Sequence, residues 1–166
     1  MNEIDFVIPL CKKNMIIRTT IECIIFNYHP KNIYVITNPK DIKYLENECK
    51  KWDRLKTKIF FIDEDSFFIK NYNLSRKEIE SYYTHIDDKS REFGWWYQQI
   101  LKLGAFKQID NLSDPFVVWD SDLISKKNGK YLMKTKKIIN LLFYKNVPKM
   151  NLINMNMQNR SKILQG

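Results

Sequence analysis

Four short apolar runs punctuate the first 125 residues: Ile4–Leu10 (IDFVIPL), Asn32–Thr37 (NIYVIT), Lys58–Asp63 (KIFFID) and Pro115–Trp119 (PFVVW). Each is rich in Ile, Val or Phe and gives way to polar or turn residues. Near-continuous apolarity over so few positions predicts strands buried on both faces of a parallel sheet. Between the runs the period changes. Asn14–Tyr28 places Ile17, Ile21, Ile24, Ile25 and Tyr28 on one helical stripe, and Asp41–Trp52 does the same with Ile42, Leu45, Cys49 and Trp52. Ser75 followed by Glu78 forms a capping box for a helix through Tyr83. Arg91–Ile109 predicts another helix, with Trp96, Ile100 and Leu103 on its apolar stripe.

The order is therefore strand, helix, strand, helix, strand, helix, helix, strand. It predicts an α/β domain with a Rossmann-like, mostly parallel open sheet flanked by helices. Beyond Asp122 the pattern weakens. Lys130–Thr135 reads as a strand and Thr135–Tyr144 as a helix, followed by a ragged tail. The expected division is an α/β domain over residues 1–125 and a basic extension over 126–166.

Composition supports a folded chain, 44% hydrophobic and 14% aromatic. The net charge of +9 is unevenly placed: residues 1–125 hold 18 Lys/Arg and 19 Asp/Glu, whereas 126–166 hold 10 Lys/Arg and no acid. Such a tail suits nucleic acid, an anionic membrane surface, or simply solvent. Its aromatic residues, Tyr131, Phe143 and Tyr144, are too few and too far from the last basic stretch for a stacking platform. That argues against single-stranded nucleic acid. Cys11, Cys23 and Cys49 show neither even pairing nor metal spacing and read as reduced thiols. The acidic, strand-like start is no secretory signal, and no apolar run approaches the ~20 residues that span a bilayer. The expected compartment is cytoplasmic.

In an open α/β sheet, ligands bind outside the carboxyl ends of the strands. The residues to watch are therefore Pro9–Lys12, Thr37 with Asn38, Asp63–Asp65, and Asp120–Asp122. Asp120 and Asp122 repel one another unless they are well solvated or share a cation. A hard divalent ion such as Mg²⁺ or Mn²⁺ suits two carboxylates and also binds phosphate oxygens. On its own, Asp-x-Asp is a common and weak signal, more often a solvated strand exit than a metal site.

The segments FVIPLCKK (Phe6–Lys13), NIYVIT, IFFIDED (Ile59–Asp65), GWWYQQILKLGAF (Gly94–Phe106) and VVWDSDLI (Val117–Ile124) add context. In this order and spacing the chain resembles the GT-A type nucleotide-diphospho-sugar glycosyltransferases, across about residues 3–124. The resemblance implies Mn²⁺ or Mg²⁺ held by Asp122 and Asp120 against a nucleotide sugar, most simply a UDP-sugar. It implies that Pro9, Leu10 and Cys11 border the nucleotide, with Ser121 between the two carboxylates. Thr37 would lie near the ribose and Asp63 would accept from a base edge. The acceptor would be a glycan, lipid or protein.

Lys12, Arg91 and Lys102 are phosphate contacts under this resemblance and solvated charges otherwise. Trp95, Trp96 and Tyr97 read as packing residues ahead of a sugar platform, and of Gln98 and Gln99 at most one faces a site. His29 reads as a helix exit and His85 as part of a polar loop, and Glu64 with Asp65 as a solvated turn. The family pattern ordinarily continues beyond Asp-x-Asp to supply an acceptor base, yet no Asp, Glu or His follows Asp122. The chain thus reads as C-terminally truncated or divergent. The alternative to a glycosyltransferase is an inactive binding module that kept the fold.

Overall fold

The computed structural model describes residues 4–12, 14–52, 56–87, 92–124 and 142–143. Its sheet contains β1 (Phe6–Leu10), β2 (Asn32–Thr37), β3 (Lys58–Asp63), β4 (Phe116–Val118) and the two-residue β5 (Leu142–Phe143), in the order β3-β2-β1-β4-β5. The first four strands are mutually parallel and β5 pairs antiparallel with β4. The expected helix over 135–144 is corrected at Leu142–Phe143, which form this strand. The rest of that segment, the expected strand at 130–135 and the tail lie outside the described residues, as does Arg91.

The interior strands β1, β2 and β4 are buried on both faces, which is why they read as continuous apolar runs. Phe6, Ile8 and Leu10 of β1 face α1 (Ile17–Tyr28) and α2 (Pro39–Cys49), together with Ile33, Val35 and Val117. Val7 faces the opposite way, into a second core with Tyr34, Ile36, Phe116 and Val118. That core is covered by α3 (Ile69–Tyr72), α4 (Arg76–Asp87) and α5 (Phe93–Gln108). Each fully buried Ile or Phe contributes roughly 1.5–3 kcal/mol over its exposed state. Two packed cores on one central strand make β1 the least dispensable element. Among the described residues no helix is long and apolar enough to cross a membrane.

Three sequence expectations are corrected here. β3 is an edge strand, with Phe60 42% exposed and stacked on Tyr34, so burial on both faces holds only for the interior strands. The buried stripe of α5 is Phe93, Tyr97, Leu101 and Ala105, not Trp96, Ile100 and Leu103. This helix is apolar around most of its circumference, so its period alone does not choose a face. His85 belongs to α4 rather than to a loop.

The α4 capping box is present. The Ser75 backbone N–H donates to Glu78 Oε2 at 2.7 Å, and the Glu78 N–H donates back to Ser75 Oγ at 3.3 Å. His29 closes α1 in the left-handed conformation, φ 48°, with its N–H donating to the Ile25 carbonyl. At the amino end of the sheet, buried Asp5 accepts from Asn32 Nδ2 at 2.9 Å and from the Ser113 N–H at 2.8 Å. One carboxylate thereby ties β1 to β2 and to the approach of β4.

Candidate active site

Chain direction places the site. From β1 the chain steps outward to β2 and β3, then returns to lay β4 on the other side of β1. The order reverses between β1 and β4, and at such a point the two connections diverge and leave a crevice at the carboxyl ends. A cleft of about 260 Å³ lies there, lined by Pro9 of β1, by Trp95, Gln98, Gln99 and Lys102 of α5, and by Asp120, Ser121 and Asp122 after β4.

The Asp-x-Asp segment is held by three hydrogen bonds. The Leu123 N–H donates to the Asp120 carbonyl at 3.1 Å, closing a tight turn. The buried Trp119 indole donates to the Leu123 carbonyl at 2.7 Å. Thr20, fully buried on α1, donates its hydroxyl to the Ser121 carbonyl at 3.0 Å. The turn backbone is therefore fixed from both sides while both carboxylates stay exposed. Lys102 Nζ donates to Asp120 Oδ1 at 2.6 Å. Lys102 is mostly buried, 18% exposed against 57% for Asp120, so the ammonium is presented from the α5 wall.

A second acidic exit, at β2 and β3, is built differently. Thr37 is buried and its hydroxyl donates to the Leu10 carbonyl at 3.0 Å, joining β2 to β1. Asp63 accepts from the Asp65 N–H at 2.8 Å and from Ser66 Oγ at 2.9 Å, capping the turn after β3. Glu64 is 2% exposed and ion-paired to Arg76. Its carbonyl accepts the Tyr97 hydroxyl at 2.6 Å, and the Arg76 guanidinium lies 5.2 Å from the Tyr97 ring centre. Burial pushes the Glu64 carboxyl above its usual range, against the pull of Arg76. Burial likewise raises the Tyr97 phenol.

Cys11 sits between the two exits. Burial, then the charge of Glu64, raises its thiol pKa, while the Gln98 carboxamide, Arg76 and Lys102 pull the other way. A thiol held protonated is a poor nucleophile.

Of the sequence-predicted residues, the structure gathers Pro9, Asp120, Ser121 and Asp122 into one cleft, with Lys102. Leu10 is buried beneath it, Cys11 is half-buried beside it, and Thr37 and Asp63 lie on the neighbouring rim. Lys12 is exposed and does not line the cleft. Sequence reasoning missed Thr20, a polar residue on an apolar helix face, and the pairing of buried Glu64 with Arg76, having read Glu64 with Asp65 as a solvated turn. It also ranked Trp95 as packing, whereas the indole is 68% exposed in the cleft.

Among the described residues no three Asp, Glu, His or Cys side chains converge as a cage for a metal. Two exposed carboxylates fit a different arrangement. Mg²⁺ and Mn²⁺ are commonly held by one or two carboxylates, with phosphate oxygens and water completing the octahedron. The donor set suits an ion that arrives with a diphosphate. Lys102 would then either release Asp120 to the ion or turn to a phosphate.

Fold and cleft together define an α/β domain with a mostly parallel open sheet and a carboxylate-lined crevice where its strand order reverses. The crystal structure of mouse xyloside xylosyltransferase 1, apo form, shares the fold at a TM-score of 0.50 with 13% sequence identity, over 78% of this chain and 48% of that one. This chain spans about half the length of that enzyme, and at such identity the likeness concerns the fold alone. A family model described as "Family of unknown function (DUF6492)" matches residues 1–139, and the chain belongs to that family. No curated protein matches by sequence.

Proposed function

We propose that this domain binds a nucleotide-diphospho sugar with Mn²⁺ or Mg²⁺ and serves as a glycosyltransferase, or as the donor-binding part of one. The observation that carries the reading is the position of Asp120 and Asp122: exposed, fixed by a pinned turn, and placed where the strand order reverses. Asp120 and Asp122 hold the ion, whose chemistry is to neutralise charge on the departing nucleoside diphosphate. Lys102 adds a cation on the α5 side, and Pro9 with the Leu10 and Cys11 backbone forms the floor along which the nucleotide lies. Thr37 supports this floor from beneath, and Asp63 stands on the rim where a base edge such as that of uracil would end. The acceptor is a glycan, lipid or protein hydroxyl.

A second reading, a donor-binding module without turnover, is favoured by one observation. Glu64, the most enclosed carboxylate near the cleft, is locked to Arg76 and is not free to deprotonate an acceptor hydroxyl. Calorimetric titration of UDP and UDP-sugars, with and without Mn²⁺, tests both readings. Metal-dependent binding that weakens at least tenfold in Asp122→Asn is the expected result. Equal affinity in wild type and variant removes the proposal, and binding without hydrolysis or transfer across an acceptor panel selects the second reading.

A further inference from the structure

The run Phe93–Gln99 divides its aromatic side chains unequally. Phe93 and Tyr97 are buried and stacked at 5.3 Å, and Trp96 packs on Tyr83 at 4.9 Å. Trp95 alone of the four turns outward, 68% exposed, into the cleft with Gln98, Gln99 and Lys102. Residues 95, 98, 99 and 102 form the face of α5 opposite the buried stripe, so the helix that closes the second core also builds one wall of the cleft.

An exposed indole is costly to keep in water, and here every other α5 residue lining the cleft is polar. Two carboxamides, each able to donate and to accept, stand within a turn of the indole face. Among the described residues the Gln99 amide is tied by one long 3.4 Å bond to the Trp95 carbonyl, which a ligand hydroxyl readily replaces. An apolar face ringed by such groups matches a pyranose ring, which has a C–H face and a rim of hydroxyls. Trp95 precedes Lys102 by two helical turns, about 10 Å along the axis. Trp95 thus enters the cleft wall two turns before the residue that meets Asp120.

We propose that Trp95, with Gln98 and Gln99, is the platform on which the acceptor's sugar ring stacks, so that the acceptor is a saccharide or glycoside. The assignment rests on the sugar-transfer reading of the cleft, which leaves the nucleoside along β1 and β2 and this wall for the acceptor.

Saturation-transfer NMR with methyl β-xylopyranoside, methyl β-glucopyranoside and their β-linked disaccharides, with and without UDP and Mn²⁺, tests it on wild type, Trp95→Ala and Trp95→Tyr. Saturation should reach the C–H protons of one ring face. Affinity should fall at least tenfold in Trp95→Ala and recover in part in Trp95→Tyr, which keeps an aromatic face. Because Trp95 is exposed, the alanine variant folds, as its circular dichroism will report. Equal saccharide affinity in wild type and Trp95→Ala, or no saccharide binding to wild type, overturns the inference. So does a loss confined to UDP-glucose relative to UDP, which puts the donor ring on the indole, or a loss for UDP itself, which puts the base there. UDP with Mn²⁺ failing to bind wild type, while saccharide binding still depends on Trp95, sinks the donor reading and sustains the platform.

Discussion

Two acidic strand exits face the same end of this sheet and have opposite constructions. After β4, Asp120 and Asp122 stand exposed on a turn whose backbone is held by Thr20 and Trp119. After β3, the side chains of Asp63 and Glu64 are engaged by a turn and by Arg76, and Glu64 is buried. The composition of the two exits is nearly the same. What differs is topology: one exit borders the crevice between β1 and β4, and the other is roofed by α4 and by Tyr97. An acidic exit can serve a ligand only where the strand order leaves space above it; elsewhere its carboxylates are absorbed into capping and packing.

The sharpest contrast should come from Glu64→Ala. Removing one partner of a buried ion pair typically costs about 3 kcal/mol, and chemical denaturation should show a loss of that order while the folded fraction still binds UDP with Mn²⁺. A loss of binding with unchanged stability would mean that the two rims are not separable.

Gly104→Ala probes the wall they share. A Cβ at Gly104 would stand 2.6 Å from the buried Phe68 ring, and overpacking of this kind costs about 1–3 kcal/mol. The midpoint of denaturation should fall accordingly, with the damage on the α3 side of α5 rather than at Lys102.

Asp122→Asn reverses the pattern. Its stability should stay within about 0.5 kcal/mol of wild type because the side chain is exposed. Metal-dependent nucleotide affinity should fall at least tenfold, about 1.4 kcal/mol.

Ser75→Ala is the gentlest change, about 1 kcal/mol through the cap of α4. Its partner Glu78 has a pKa held low by the Ser75 backbone N–H and then by the hydroxyl. A lowered folded-state pKa means the carboxylate supports α4 above its unfolded pKa and loses that support as pH falls through the folded value. Hydrogen exchange in α4 should therefore quicken, relative to the sheet, as the solution is acidified through the carboxylate range. No difference between wild type and Glu78→Gln in this trend would remove the cap from the account.

Much of this was legible in the chain. β2 and β3 coincide with their apolar runs because five and four continuous hydrophobic or β-branched positions, Ile33–Thr37 and Ile59–Ile62, admit little else. The Ser75–Glu78 cap was legible because it is local. β3's place at the edge was not, since strand order is decided by crossovers rather than by composition. The face of α5 was not, because Trp96 and Ile100 are as apolar as Tyr97 and Leu101. In the site, Asp120 and Asp122 stood out by ending a buried strand. Lys102, Trp95 and Thr20 reach them across 18, 25 and 101 positions of sequence by way of packed helices, and no spacing rule covers such distances.

The most direct test is the electron paramagnetic resonance signal of free Mn²⁺ during titration with this protein, with and without UDP. The signal should fall strongly only when UDP is present, and Asp122→Asn should abolish the fall. Unaltered free Mn²⁺ in the presence of UDP and folded wild-type protein would contradict the proposed donor site.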